Sequence, residues 1–343
     1  MKIEFSKICV VIVNYNSSKE TLTLLSQLRS AKGGGEKRIY IVDSKSTENA
    51  KEIIEPQLRE NEFFIQAEEN YGYGKCLNQG LKRGLEWGAD YFLVLNPDLK
   101  MENDFLLRLL IALQAQKKSG MACPLTLCED GTKVQSMGGS FCYWTGRAKR
   151  RFYGKNIDDT RKDFEYVDFP EGNAILIKRE FLEDVGLFHE EFFLYYEDVE
   201  IGLRAKREHW KTVAVTKARV YHKDTTKERK YDPLTNYVSV RNQIWVERLY
   251  ANIFQFFVFT FFSLFLKFPF KILRAIMIFQ FKCSFYIVKG IFSGFFSRKL
   301  FDVSHFEIPI RKKDVMKEET LPEMPSIVFT EEKKKKKSLF EEQ

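Results

Sequence analysis

Over the first 120 residues, apolar and polar positions fall into blocks that switch between strand and helix periods. Ile8–Val13 reads as a strand, and Leu22, Leu25 and Leu28 share one face of an amphipathic helix over Thr21–Arg29. Ile39–Val42 is a second strand ending at Asp43, with a helix around Asn49–Arg59 behind it. Glu62–Gln66 is a third strand, and the glycine-rich turn Asn70–Gly74 opens a helix running to about Trp87. Tyr91–Leu95 is a fourth strand and Phe105–Gln116 the next helix. Repeating β-α units of this length predict a parallel, doubly wound sheet with right-handed crossovers.

Beyond residue 120 the pattern loosens into short strands and long loops, rich in glycine and aromatics, to about residue 170. Helices are expected near Lys178 and from Glu197–Glu200 to about Glu208, with a strand at Thr212–Val215. From Tyr237 to Leu300 the chain reads as helical and strongly apolar. The tail from Phe301 lacks periodicity, ends near a five-lysine run and is expected to be mostly disordered. The expected domains are therefore 1–235, 236–300 and 301–343.

Charge sharpens this division. Residues 1–235 and 301–343 are nearly neutral, whereas residues 236–300 carry 9 basic against 1 acidic side chain, and 15 of the 32 phenylalanines. A nucleic-acid binder would spread its excess charge differently, so no nucleic-acid partner is expected. A cationic, aromatic, apolar segment suits a membrane surface. Leu249–Leu266 has 18 residues without a charge, enough to span a bilayer. Asn252, Gln255 and the recurring Lys271, Arg274, Lys282 and Lys289 favour a helix lying in the interface. The six cysteines form no CxxC pair, and Asn14 interrupts the first apolar run too early for a signal-peptide core. The expected location is the cytoplasmic face of the membrane, peripheral rather than integral.

Polar residues gather where strands end. Asn14-Tyr15-Asn16 closes the first strand, Asp43-Ser44 the second, and Asn96-Pro97-Asp98 the fourth; Asn70, Gly72, Asn78 and Gly80 lie around the third turn. Pro97 cannot donate to a ladder, so Asp98 sits at the carboxyl edge of the sheet, where α/β folds bind ligands. A carboxylate there suits a divalent cation, and the cation a diphosphate. Taken alone, the same residues also suit a turn in which Asp98 caps a helix from near Glu102. Together, two carboxylates and several amides along one edge favour a nucleotide site. No glycine occurs in residues 14–19 and no GxxxxGK[ST] occurs, which excludes both the dinucleotide fingerprint and the P-loop. Further on, Glu197, Asp198 and Glu200 follow an aromatic run. They suit a helix N-terminus, or a general base if an apolar setting raises a pKa. His222 suits a structural role or a metal ligand near Asp98.

In order along residues 7–300, these motifs resemble the inverting family 2 nucleotide-sugar glycosyltransferases of GT-A fold, in particular the rhamnosyltransferase-like enzymes of surface-polysaccharide assembly. Val10–Asn16 resembles the opening strand, and Val42-Asp43 through Ser46 and Glu48 the V-D-N-x-S-x-D. Asn70–Gly80 resembles the N-x-G-[FY]-[AG] helix entry, and Asn96-Pro97-Asp98 the metal-binding D-x-D equivalent. Glu171-Gly172-Asn173-Ala174 resembles the acceptor-side loop, Glu197-Asp198 the acidic pair, His222 the core's C-terminal histidine, and Arg241-Asn242 the V-R-N before the membrane-proximal helices. Ser44, Leu77 and Asn96 depart from the usual residues, which leaves the donor base open.

The resemblance implies a mixed, mostly parallel sheet flanked by helices, followed by apolar, basic membrane-associated helices. It implies transfer with inversion from a nucleoside diphosphate sugar, rhamnose from dTDP-rhamnose being the best match, to a lipid-linked oligosaccharide acceptor. Another UDP-, GDP- or dTDP-sugar is the alternative, and an inactive membrane-bound scaffold a second. It implies Asp198 or Glu197 as base, Asp98 and His222 around Mg2+ or Mn2+, and Asn14, Asn16, Asp43, Asn70, Gly72, Asn78 and Asn96 on the donor nucleotide. Gly172 and Asn173 would shape the acceptor side.

Overall fold

The computed structural model of the chain describes residues 6–160, 162–223 and 232–297; the charged tail expected from 301 lies outside them. The apolar runs of the first half form β1 Ile8–Asn14, β2 Lys37–Asp43, β3 Glu62–Gln66 and β4 Tyr91–Leu95, paired in parallel in the order β3-β2-β1-β4. β1 and β4 are buried along their whole length, so their sequences show no alternation: both faces are covered. The covering helices are α1 Ser18–Ser30, α2 Ala50–Ile54, α3 Tyr73–Trp87 and α4 Phe105–Ala115. α2 stops earlier than the expected Arg59, because Pro56 cannot donate a helical bond and the chain closes in one 3-10 turn, Glu55–Gln57. α3 lies directly on β1. A Cβ on Gly80 would come 2.6 Å from Val11 Cγ1, and one on Gly84 2.4 Å from Cys9 Sγ.

The second half adds β5 Leu99–Met101, β6 Ser119–Cys128, β7 Val134–Ser136, β8 Gly139–Cys142, β9 Arg147–Arg150, β10 Phe164–Val167, β11 Ala174–Lys178 and β12 Lys211–His222. It also adds α5 Arg179–Val185 and α6 Glu197–Arg207. β11 enters antiparallel between β4 and β6, and β12 runs parallel to β6. The result is the expected mixed sheet flanked by helices, but the parallel β-α repeat holds only for the first four strands. β6 and β12 are longer than the short strands expected, since a register shift between Val215 and Arg219 breaks the pattern of β12 without ending it. No helix starts at Glu102; β5 follows Asp98 directly, and Asp104 is the N-cap of α4. Asp98 is therefore not a helix cap.

Four helices close the described chain: α7 Pro233–Tyr250, α8 Ile253–Phe262, α9 Phe268–Met277 and α10 Phe281–Phe296. The expected boundary at 235 falls in the first turn of α7. Asn252 and Gln255 form a reciprocal capping box that starts α8 afresh. α8 and α9 are joined through a π-helical turn, Ser263–Lys267, which relieves the missing donor and ring clash of Pro269. Val240 and Ile244 of α7 pack with Phe259, Phe268 and Ile287 into a small core. The opposite faces leave Phe257, Phe261, Phe265, Phe270 and Phe285 exposed. Among the described residues, one helix, Ile253–Met277, is long and apolar enough to cross a membrane.

Candidate active site

Strand register aligns the first group. Asn14 pairs with Asp43, and Asp43 with Gln66, so three polar side chains end adjacent strands at one edge. Asn14 Nδ2 donates to Asp43 Oδ1 at 2.7 Å, and Gln66 Nε2 to Asp43 Oδ2 at 2.8 Å. Ser46 adds its backbone N–H at 2.9 Å and its hydroxyl at 2.5 Å. Four donors saturate the four lone-pair directions of this buried carboxylate. Asp43 thus braces the loop after β2, and a ligand hydroxyl would have to displace one of those donors. Asn16, with φ of 52°, accepts from Thr47 N at 2.7 Å and pins the same loop. Glu48 caps α1 by accepting from Ser18 N at 2.9 Å and Ser18 Oγ at 2.6 Å.

The turn before α3 bridges the two halves of the chain. Asn70 Oδ1 accepts from Ser44 Oγ at 3.0 Å and Gly72 N at 3.1 Å. Gly72 has φ of 80°, and a Cβ there would sit 2.3 Å from Phe193 O. This close approach lets Tyr73 N donate to Phe193 O at 2.6 Å. The Tyr73 hydroxyl lies 2.8 Å from Asn96 Oδ1 and 3.1 Å from Gly172 O. Burial, and then the neighbouring Glu197, Asp198 and Asp98, push its pKa well above the usual phenol range. Tyr73 joins the two halves of the site, yet sequence reasoning did not single it out; its only signal is its place in the Asn-x-Gly-aromatic entry. Asn78 is elsewhere: its amide holds Phe188 N and O at 3.1 and 2.8 Å and Glu190 Oε1 at 3.0 Å. It clamps the loop around Phe188.

Asp98 and His222 meet because Leu99 of β5 pairs with His222 of β12. His222 Nε2 is 3.2 Å from Asp98 Oδ2, and its Nδ1 is 2.9 Å from Gln135 Oε1. With Nδ1–H donated to Gln135, a neutral imidazole aims an electron pair at a carboxylate oxygen. Such a pair of acceptors calls for a proton or a cation between them, so the donor set fits a divalent ion. Among the described residues no cluster of three or more His, Cys, Asp or Glu is placed to hold a metal. A cation here would take its remaining ligands from phosphate and water.

The acidic pair opens α6 on a strained backbone. Phe193, Tyr195 and Tyr196 have φ of 65°, 64° and 71°, unfavourable for bulky side chains. Asn242 of α7 holds them there: its Nδ2 lies 2.9, 2.9 and 2.7 Å from the carbonyls of Phe192, Leu194 and Tyr195. Arg241 Nη2 adds bonds to Glu191 O at 3.1 Å and Phe192 O at 2.9 Å. Asp198 Oδ2 accepts from Gly172 N at 3.0 Å and Oδ1 from Val199 N at 2.8 Å. Glu197 Oε2 is buried without a partner among the described residues. Burial pushes both carboxyls up, with Asp198 also raised by Glu171 and Glu197 by Asp198. The two N–H donors at Asp198 place the shared negative charge there and leave Glu197 protonated. Glu200 has a structural task, bound by Arg204 Nη2 at 2.9 Å and Tyr250 OH at 2.5 Å. Asn173 pairs with Thr126, its Nδ2 lying 3.2 Å from Thr126 Oγ1, so only its backbone, which accepts Asn96 N at 2.8 Å, faces the shared edge.

The edge therefore combines a polar floor, a metal-compatible Asp–His pair and a buried acid with raised affinity for protons. Comparison with known proteins gives a family, two relatives and a similar fold. The family model described as "Glycosyl transferase family 2" matches residues 9–186. A low-salt glycan biosynthesis hexosyltransferase of Haloferax volcanii is 25% identical over 203 residues, 58% of this chain and 61% of that protein. An N-acetylglucosaminyl-diphospho-decaprenol L-rhamnosyltransferase of Mycobacterium tuberculosis is 25% identical over 205 residues, 54% of this chain and 66% of that protein. The chain thus spans less than two thirds of the length of either relative. In fold it is similar to a mannosyltransferase of Pyrobaculum calidifontis solved with GDP-Man and Mn2+, with TM-score 0.54, 11% identity, and coverage of 86% of this chain and 88% of that one.

Proposed function

The chain belongs to glycosyl transferase family 2, and from that premise we propose that it transfers a sugar, with inversion, from a nucleoside diphosphate donor to a lipid-linked glycan acceptor. The observation that carries this reading is Asp198: a buried, proton-avid carboxylate in the first turn of a helix, held by Gly172 N–H at 3.0 Å and facing the donor edge through Tyr73.

In this reading Asp198 takes the proton of an acceptor hydroxyl as its oxygen bonds to the anomeric carbon. The bond from that carbon to the diphosphate oxygen breaks on the opposite face, and the electron pair leaves with the diphosphate. Glu197, uncharged, keeps a second anion away from the base. Tyr73 fixes Gly172, and so the N–H that orients Asp198. Asp98 and His222 would hold Mg2+ or Mn2+, which when bound offsets the charge of the leaving diphosphate. Asn14, Asn16, Asp43, Asn70 and Asn96 build the floor beneath the nucleotide, several of them as braces.

dTDP-rhamnose is the preferred donor, supported by the likeness to the decaprenol-linked rhamnosyltransferase; UDP- and GDP-sugars are the alternatives. The helices from α8 onward would lie in the interface of the cytoplasmic leaflet. Lys267, in the middle of the helix Ile253–Met277, donates back to Thr145 O at 3.3 Å and ties that helix to the preceding domain. A panel of nucleoside diphosphate sugars, offered to purified protein with Mn2+ and a lipid-linked N-acetylglucosamine acceptor, tests the proposal. Turnover with one donor class is expected; no transfer from any donor would leave the inactive scaffold standing.

A further inference from the structure

A second site lies away from the donor edge. Between β9, α7 and the start of α9 is a cavity of about 210 Å3 whose walls include Arg147, Tyr196, Gln243, Lys267 and Lys271. Three of these side chains are cationic, and among the described residues none of the three is held in an ion pair; Lys267 contacts only the Thr145 carbonyl, at 3.3 Å. Burial lowers both lysines to about 8; Lys271 and then Arg147 lower Lys267 further while Glu247 opposes them, so an anion entering the cavity would relieve the crowding of three cations. Glu247, which acts on Lys267, is itself pushed up to about 8 by burial first and Cys142 second, with Lys267 opposing, so its negative charge is disfavoured. Three cationic side chains thus converge on the cavity, and among the described residues none of them forms an ion pair with a carboxylate.

Its position gives it meaning. Tyr196, in its wall, immediately precedes Glu197 and Asp198. Arg147 and Arg150 lie on one extended strand, roughly 10 Å apart at about 3.3 Å per residue. Arg150 binds Glu171 at 3.0 Å, next to the Gly172 that holds the base. On the other side, the helical turn carrying Lys267 turns Phe265 outward, 66% exposed, and the helix carrying Lys271 turns Phe270 outward, 68% exposed. The cavity thus shares Tyr196 with the chain that leads into the acidic pair, and its two lysines share a helix with phenylalanines that face outward.

We infer that this cavity binds the diphosphate that joins an acceptor sugar to its lipid, an inference that rests on the lipid-linked acceptor proposed above. It differs from the donor diphosphate site in using side-chain cations instead of a metal, so it works without one. It gives the enzyme a means of choosing a diphosphate-linked acceptor over a neutral glycolipid: the sugar reaches Asp198 only when the linking group is seated.

The test is calorimetric binding of farnesyl diphosphate to the full-length protein in neutral detergent with EDTA, which removes metal-dependent binding at the donor edge. Wild type is expected to bind at least about tenfold more tightly than Lys267→Gln/Lys271→Gln, and more tightly than it binds farnesol. Lys267→Arg/Lys271→Arg should stay within about threefold of wild type, and Arg147→Gln, a single change at an exposed strand, should fall between. Affinity unchanged in the glutamine variants would overturn the inference. So would displacement of farnesyl diphosphate by equimolar phosphatidylglycerol, which would mark a general headgroup site. Mn2+-dependent binding of dTDP, UDP or GDP, measured alongside, should be equal in all variants. If no nucleotide binds, the transferase reading fails while the farnesyl diphosphate result still decides the cavity.

Discussion

Asp43 and the Glu197–Asp198 pair are both buried carboxylates at one sheet edge, yet they are served very differently. Asp43 takes four hydrogen bonds from three neighbours, two at strand ends and one in the loop after β2. Asp198 has two backbone donors and Glu197 Oε2 none, and both ride on a backbone forced through three left-handed aromatic residues. A saturated carboxylate is a structural brace. One short of donors in an apolar setting holds protons more tightly than usual, and that is the property a base needs near neutral pH. The contrast extends to what supports each: the donor floor is held from within its own loops, whereas the acidic pair depends on Arg241 and Asn242, reaching in from α7. The helix Pro233–Tyr250 thereby shapes the backbone that carries the acidic pair.

The comparison is broken most severely at Asp198. Asp198→Asn should lower kcat by about a thousandfold, within the range for loss of a general base, while the donor Kd measured by calorimetry stays within about threefold. Turnover within several-fold of wild type would remove Asp198 from the role. Next, Asp98→Ala should weaken Mn2+-dependent donor binding by about 10- to 100-fold; equal wild-type donor affinity with and without EDTA would contradict the metal assignment. Asn242→Ala strands three carbonyls of the strained loop and should cost about 1–3 kcal/mol in chemical denaturation, with kcat falling more than donor affinity. Tyr73→Phe removes only a hydroxyl. It should reduce kcat by about five- to tenfold, because Gly172 loses its support at about 1 kcal/mol, with no change in melting temperature beyond a few degrees.

Much of the donor half is legible in the chain because its signals are local. The unbroken apolar runs of β1 and β4, and the polar residues that stop them, announce strands and their edges, and the parallel register then brings Asn14, Asp43 and Gln66 together. The second half is less legible, because its contacts join residues far apart in sequence. Nothing near Leu99 signals that it pairs with His222; the meeting of Asp98 with the imidazole follows only from the family resemblance, and this pairing is what brings it about. Tyr73 looks like an aromatic at a helix start until Gly172 and Asn96 arrive from other strands. Asn78 misleads in the opposite direction: it sits in a motif of the nucleotide edge but is spent on the loop at Phe188. The basic excess of residues 236–300 is legible in the chain, but only the fold turns Lys267 and Lys271 inward, towards Arg147.

The central claim is that Asp198 is the base and is ionised while its neighbour is not. Its carboxyl, ordinarily near 3.8, is pushed up to about 6 by burial first and Glu171 second. Because the ionised form accepts the proton, activity must be gained as pH rises through that value and lost as it falls. The direct measurement is kcat/KM for the acceptor against pH from 5 to 8 at saturating donor and Mn2+. The account predicts an acid limb with its midpoint near pH 6, absent from the residual activity of Asp198→Asn; a profile flat from pH 5 to 7 in the wild type would contradict it.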